Sequence, residues 1–184
     1  MKITFLGGGN MANALIGGML KQGFAAADIT VVDPGSAARD KLERTYAVNC
    51  LETGEMLDNI GDLLVLAVKP QQMKEAVAPL VGKLGNAVVV SIAAGLDLAT
   101  LARFLGGHRK IVRCMPNTPA LIGAGITGLC PLPEVSAAER EAADCVLSAV
   151  GSTVWIDNEG RMDGVTALSG SGPAYVFLFI EALQ

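Results

Sequence analysis

The sequence predicts an α/β protein, a doubly wound and mostly parallel sheet with helices on both faces. Short apolar runs alternate with helical patterns along most of the chain. The loops that follow the runs are small and punctuated by Gly and Pro. The first of them, Gly7-Gly8-Gly9-Asn10-Met11-Ala12, joins a buried run directly to a helical pattern. That combination is the signature of β-α-β units rather than of a sandwich or a bundle.

Ile3–Leu6 reads as a buried strand. In the turn after it, Gly7, Gly9 and Ala12 occupy the small positions of the G-x-G-x-x-G/A fingerprint of Rossmann-type dinucleotide domains. The first glycine permits the sharp turn, the second lets a pyrophosphate approach bare backbone, and the alanine lets helix and strand pack closely. Such a turn also arises simply to make a tight connection. Its place after a strand, before a helix and at the chain's start favours nucleotide binding. Asn10–Lys21 is then a helix with Met11, Leu15, Met19 and Leu20 on one face and a stop at Gly23. Further strands are expected at Ile29–Val32, Leu63–Val68, Ala87–Ile92 and Ile111–Cys114, with helices near Ser36–Tyr46, Pro70–Val81 and Leu98–Leu105. Two prolines force Met115–Pro119 into a loop. A strand near Ala124–Leu129, a helix near Ser136–Ala149 and a strand near Ser152–Ile156 complete the sheet.

The last segment differs. Ser169-Gly170-Ser171-Gly172-Pro173 reads as a helix start with a serine cap and a proline in the first turn. The helix it opens, Ala174–Gln184, is apolar nearly all round and so needs burial on most sides. It is either tucked into its own domain or, the reading favoured here, the first piece of a second, helical domain absent from this chain.

Over 184 residues the composition is 51% hydrophobic and 17% charged, which is apolar for a free monomer and leaves surface for a subunit interface. No apolar run reaches the roughly 18 residues of a membrane span, and no secretory signal pattern stands at the N-terminus. The expectation is a cytoplasmic protein without a membrane partner. A net charge of −4 argues against nucleic acid. Cys50, Cys114, Cys130 and Cys145 form no C-x-x-C pair and read as buried thiols, so no metal site is expected. The single histidine, His108, follows Gly106-Gly107 and reads as a solvated turn residue. Ser171 has no adjacent base, which leaves nucleophilic catalysis without support.

In a doubly wound sheet the loops at the strands' carboxyl ends face the ligand crevice. That places Leu6, Gly7, Gly8, Gly9, Asn10 and Met11, then Asp33, Ser36 and Arg39, then Ala67, Val68, Lys69 and Pro70, and Ala93, Ala94 and Gly95 as candidate cofactor-binding residues. Asp33 ends the second strand, where an acid would take an adenosine ribose 2′-OH and select NAD. Ser36 and Arg39 could instead hold a 2′-phosphate, or Asp33 could merely cap the helix after Pro34. Lys69 is either solvated or near a phosphate or substrate carboxylate. NADPH and NADH both stay open as cofactor.

Five segments together carry a resemblance. They are Phe5-Leu6-Gly7-Gly8-Gly9-Asn10-Met11-Ala12, Leu66-Ala67-Val68-Lys69-Pro70, Val90-Ser91-Ile92-Ala93-Ala94-Gly95, Arg113-Cys114-Met115-Pro116-Asn117-Thr118-Pro119 and Leu168-Ser169-Gly170-Ser171-Gly172-Pro173-Ala174-Tyr175. In order and spacing the set resembles pyrroline-5-carboxylate reductase. The resemblance implies hydride transfer from NAD(P)H to the cyclic imine 1-pyrroline-5-carboxylate, giving L-proline in the last step of proline biosynthesis. It implies a nicotinamide and substrate pocket at Met115, Pro116, Asn117, Thr118, Ser169 and Ser171, with no residue of this chain assigned as catalytic. It also implies a dinucleotide-binding domain over residues 1–164, with 165–184 opening a helical dimerisation domain that makes a homodimer or larger homo-oligomer. Two departures matter. The family's Ser-Pro-Gly-Gly-Thr-Thr segment, which holds the substrate carboxylate, is not present, so the chain reads as truncated with part of its active site missing. Thr53-Gly54-Glu55 stand where many members place a ribose-binding asparagine. Rival readings are a dehydrogenase of the 6-phosphogluconate or 3-hydroxyacid type, and a nucleotide-binding fragment or sensor without turnover.

Overall fold

The computed structural model describes residues 1–184. Strand β1 (Ile3–Leu6) is buried along its whole length and leads through the glycine turn into α1 (Asn10–Lys21). The helix buries Ala12, Leu15, Ile16 and Met19, a stripe with helical spacing; the expected face was shifted by one position, since Met11 and Leu20 lie at its margins. Strand β2 (Ile29–Val32) and α2 (Ser36–Tyr46) follow as expected. A short strand, β3 (Asn49–Leu51), was not foreseen: three residues opening on an asparagine carry no alternation to detect.

Strand β4 (Leu63–Leu66) ends two residues before the expected Val68. The Ala67 N–H still donates to the Leu6 carbonyl (2.8 Å), and the chain then leaves the sheet. The expected helix Pro70–Val81 is regular only over α3 (Met73–Val77), with 3-10 turns on either side; Pro79 lies in the second of these. A proline removes an N–H that a continuous helix needs. Strands β5 (Val88–Ser91) and β6 (Ile111–Met115) enclose α4 (Leu98–Phe104), which is capped by Asp97 accepting from the Thr100 N–H (2.6 Å). Strand β7 (Gly125–Pro131) runs antiparallel to β6, because the loop between them is too short for a crossover. Helix α5 (Ala137–Leu147) carries a capping box between Ser136 and Glu139, and β8 (Gly151–Trp155) closes the sheet parallel to β7.

The eight strands lie in the order β3-β2-β1-β4-β5-β6-β7-β8, parallel except at β6–β7. Alternate residues serve opposite faces. Ile3, Phe5, Leu63 and Val65 join α1 and α5 in one core, while Leu6, Leu64 and Leu66 join α3 and α4 in the other. This two-sided burial is why the central strands read as unbroken apolar runs. Cys114 and Cys130 are buried and Cys50 half-buried; Cys145 is exposed. The imidazole of His108 is also not simply solvated, since Nε2 lies 2.9 Å from the Ala87 carbonyl oxygen and ties the turn to β5.

At the C-terminus one continuous helical stretch runs from Glu159 to Leu183. It comprises a 3-10 turn over Glu159–Arg161, α6 (Met162–Val165), a π-helical turn over Thr166–Gly170, and α7 (Gly172–Leu183). Ser171 stands at the N-cap position of α7 and Pro173 lies in its first turn, as the sequence suggests, but the serine side chain makes no capping bond because the helical stretch is already under way. The Ser169 hydroxyl donates back to the Val165 carbonyl (2.9 Å). At 25 residues the stretch is long and apolar enough to cross a membrane by length and composition alone, although no uninterrupted apolar run in it reaches 18 residues. Helix α7 buries none of its residues within this chain.

Glu139 gives the fold a pH dependence. Its carboxylate accepts from Lys110 Nζ (2.7 Å) and from the Ser136 N–H (2.8 Å) and hydroxyl (2.9 Å). Hydrogen bonding from Lys110 is the largest of the influences that hold its pKa below the usual 4.5. A lowered folded-state pKa means stability that is full above 4.5 and is lost as pH falls through the folded value. Glu139→Gln keeps an acceptor for the Ser136 cap but loses the Lys110 ion pair, so it is expected to destabilise the protein by about 0.2–1 kcal/mol at neutral pH, the range for a partly exposed pair. Urea denaturation of both proteins across the acid range should show the difference vanishing below that window.

Candidate functional site

The strand order places a switch point between β1 and β4, since α1 leaves β1 toward one face and the segment after β4 leaves toward the other. A cleft of about 530 Å³ opens there. Seven of the expected cofactor residues line it: Leu6, Gly7, Gly9, Asp33, Ala67, Val68 and Lys69. Gly7 sits at φ +102°, and a Cβ on it would lie 2.6 Å from the Ala67 carbonyl oxygen, so only glycine fits the turn. Gly9 is the opposite case: a Cβ there would meet nothing within 4 Å and would stand in the open cleft. Gly9 is also the N-cap of α1 with no side-chain cap, so the first-turn N–H groups and the helix dipole are available to an anion. Bare backbone, an uncapped twelve-residue helix and room for a ligand together fit a dinucleotide pyrophosphate.

Asp33 is held rather than free. Its Oδ2 accepts from the Gly8 N–H (2.7 Å) and its Oδ1 from the Gly35 N–H (2.8 Å), which locks the glycine turn to the end of β2. It does not cap α2, whose N-cap is Gly35. Arg39 folds inward: Nη1 donates to the Asp33 backbone oxygen (2.7 Å) and Nη2 lies 3.8 Å from Glu52 Oε2. Ser36 is exposed at the first position of α2, and Asn10 and Met11 form the first turn of α1 beside the cleft. Pro70 opens the 3-10 turn after Lys69.

The rim beyond these residues includes Thr53, Gly54 and Glu55, where the sequence resemblance places a ribose contact, together with residues that carry no sequence signal. Glu52, Thr53, Gly54, Glu55, Gln72 and Glu75 complete the cleft wall. They come from β3's end and from helical turns whose place over the cleft no local motif encodes. Hydrogen bonding from the Thr53 side chain is the main cause that holds Glu55 below the usual carboxylate range.

A second group lies further along the same carboxyl edge. Ala93, Ala94 and Gly95 follow β5, with the Ala93 N–H directed at the Ser91 hydroxyl (3.4 Å). Pro116 and Asn117 are buried after β6, and Thr118 is exposed. The Asn117 side chain accepts from the Ile126 N–H (2.9 Å), pinning this loop to β7. Met115 packs against the π-helical turn so closely that a Cβ on Gly170 would fall 2.7 Å from its Cε. The structure therefore brings the Met115 loop together with the segment holding Ser169 and Ser171, while the cleft between β1 and β4 takes in neither.

A family model described as NADP oxidoreductase, coenzyme F420-dependent, matches residues 2–95, and one described as pyrroline-5-carboxylate reductase dimerisation matches residues 159–184. A pyrroline-5-carboxylate reductase of Pseudomonas aeruginosa is 47% identical over 99% of this chain and 67% of its own length. The chain belongs to the pyrroline-5-carboxylate reductase family. Among solved structures, the pyrroline-5-carboxylate reductase of Coxiella burnetii is similar with a TM-score of 0.93 and 36% identity, over 99% of this chain and 68% of that one. The Plasmodium falciparum pyrroline carboxylate reductase, solved with NADP bound, matches with a TM-score of 0.87 and 31% identity, over 100% and 67%. The chain thus spans about two thirds of the length of these reductases. The family's dimerisation segment falls on the exposed helical stretch described above.

Because a Cβ at Gly9 meets open space, Gly9→Val is expected to leave the fold intact while filling the anion's approach to α1. Titration of nicotinamide fluorescence, alongside circular dichroism, should show native secondary structure and loss of dinucleotide binding. Unchanged affinity in the folded variant would remove the cleft as the cofactor site.

Proposed function

We propose that this chain holds NADPH or NADH along the carboxyl edge of its sheet and reduces the C=N bond of 1-pyrroline-5-carboxylate to L-proline. The observation that carries the reading is the pairing, in a member of this family, of an uncapped α1 opening into the cleft at Gly9 with the packed junction of Met115 and Gly170 further along the same edge. The dinucleotide supplies a hydride from its nicotinamide C4, which joins the imine carbon.

The residues present bind and orient. Backbone N–H groups of Gly9, Asn10 and Met11 face the pyrophosphate; Leu6, Gly7 and Gly8 form the turn beneath it. Asp33, with Ser36 and Arg39 beside it, meets the adenosine ribose. Ala67, Val68, Lys69 and Pro70 form the opposite wall, with the Lys69 ammonium free to approach phosphate. Ala93, Ala94 and Gly95 carry the nicotinamide half past β5. Met115, Pro116, Asn117 and Thr118, with Ser169 and Ser171, bound the space where imine and nicotinamide meet and keep bulk water from it. Holding the two rings in contact converts a bimolecular encounter into an oriented one, and orientation supplies much of the rate. The proton that ends on nitrogen is assigned to no side chain of this chain.

Residues 1–164 act in this reading as the dinucleotide-binding unit, and 165–184 belong to the helical unit that pairs two copies. Expressed as its gene encodes it, the protein is expected to oxidise NADPH or NADH only when 1-pyrroline-5-carboxylate is added, and to form proline in equal amount. Failure with both dinucleotides, or equal turnover of a 3-hydroxyacid or 6-phosphogluconate, would overturn the assignment. The helix sets a second expectation. Phe177 (61% exposed) and Phe179 (65%) stand open on α7, and burying each is worth roughly 1.5–3 kcal/mol. The protein should therefore associate in light scattering, and Phe177→Asp with Phe179→Asp should shift it to a monomer.

A further inference from the structure

We propose that Glu52 sets the phosphorylation state of the dinucleotide by holding Arg39 away from the ribose 2′ position, so that the unphosphorylated form is favoured. The proposal rests on the dinucleotide reading of the cleft and adds to it a residue outside the glycine turn. Strands β2 and β3 are paired in register, Val32 with Leu51, and the Asp33 N–H donates to the Leu51 carbonyl (3.0 Å). Asp33 and Glu52 are thus the first residues beyond two adjacent strand ends, and both line the cleft. Asp33, with both oxygens anchored on backbone N–H groups, presents fixed acceptors. Acceptors suit a ribose hydroxyl and repel a phosphate.

A 2′-phosphate would need a cation here, and Arg39 is the one within reach of Asp33. Its guanidinium donates to the Asp33 carbonyl oxygen (2.7 Å) and lies 3.8 Å from the Glu52 carboxylate, drawn toward that side by an ion pair, and its side chain is only 19% exposed. Glu52 is 62% exposed at the rim, so it can be changed without disturbing a core. The rest of the rim deepens the same bias: Asp33, Glu52, Glu55 and Glu75 face the cleft against Lys69 alone. A dianionic 2′-phosphate entering this site meets carboxylates and a guanidinium that Glu52 has turned aside. Glu52→Gln removes one repulsive charge and leaves Arg39 held only by the neutral Asp33 carbonyl, so that an entering phosphate can compete for a planar guanidinium that grips its oxygens in pairs.

The test compares 5′-ADP with 2′,5′-ADP by calorimetric titration of the full chain, with NADH and NADPH in parallel by fluorescence. The wild type should bind 5′-ADP more tightly than 2′,5′-ADP. Glu52→Gln should move the affinity ratio toward 2′,5′-ADP by about fivefold at low salt and less at high salt, as befits a partly exposed ion pair. Adding Arg39→Met to Glu52→Gln should abolish that gain, as a double-mutant cycle isolates the coupling. A wild type that prefers 2′,5′-ADP, or a ratio unmoved by Glu52→Gln, overturns the role of Glu52. A gain that persists without Arg39 overturns the restraint of Arg39. If the wild type binds none of the four nucleotides, the dinucleotide reading fails and takes this proposal with it.

Discussion

The architecture turns on one close approach, that of Gly7 to the carbonyl of Ala67. Strand β1 hydrogen-bonds to both neighbours until its last residue: the Gly7 N–H donates to Val32 on one side, and the Leu6 carbonyl accepts from Ala67 on the other, both at 2.8 Å. Only there does the chain leave the sheet, and it leaves in opposite directions after β1 and after β4. A side chain at Gly7 would push the two strand ends apart and spoil the register that both cores share. Because the turn is that tight, α1 starts directly over the strand ends, and its uncapped first turn points into the cleft. The cleft is a consequence of sheet geometry before it is a feature of any ligand.

Carboxylates then act as staples between elements that sequence separates widely. Asp33 ties β2 to the glycine turn. Glu159 does the same between β6 and α4, where one oxygen accepts from both the Leu98 N–H (2.7 Å) and Arg113 Nη1 (2.9 Å). Arg113 is 7% exposed, so leaving it unpaired would strand a charge in the core beside β6. This one acid fixes the start of the terminal helical stretch against β6 and α4. Met115, two residues along β6 from that arginine, then meets Gly170 three turns along the helix, and Gly128 makes room for Val165 on the way. The second half of the site is placed by a salt bridge that lies outside it.

These staples mark the limit of what the sequence made legible. The alternation of strands and helices could be read because central strands are buried on both faces, and the glycine turn because its spacing carries its own geometry. Strand β3 could not be read, since an edge strand of three residues has no periodicity. The segment Ser169-Gly170-Ser171 shows both sides of this limit. Its local chemistry places Ser171 at the N-cap of α7, while the long-range anchoring by Glu159 starts the helical stretch earlier, so that Ser169 bonds to Val165 and no serine side chain caps. The proximity of Arg39 to Glu52 is likewise invisible in the sequence, because Glu52 lies thirteen residues away with nothing in its own neighbourhood to announce the pair. Local rules found what local forces decide.

The two ends of the chain differ in how they are stabilised, and the difference bears on function. The sheet has two closed cores, and no fully buried side-chain polar atom lacks a hydrogen-bond partner. Helix α7 has no buried residue, and a helix of twelve residues is marginal in water unless its apolar face is packed. Its stability must therefore come from other protein surface, in agreement with the dimerisation segment that matches it. The π-helical turn carrying Ser169 lies directly upstream on the same helical stretch and already packs against Met115 within the single chain. The sheet is packed by the chain itself, while α7 presents its apolar side chains outward.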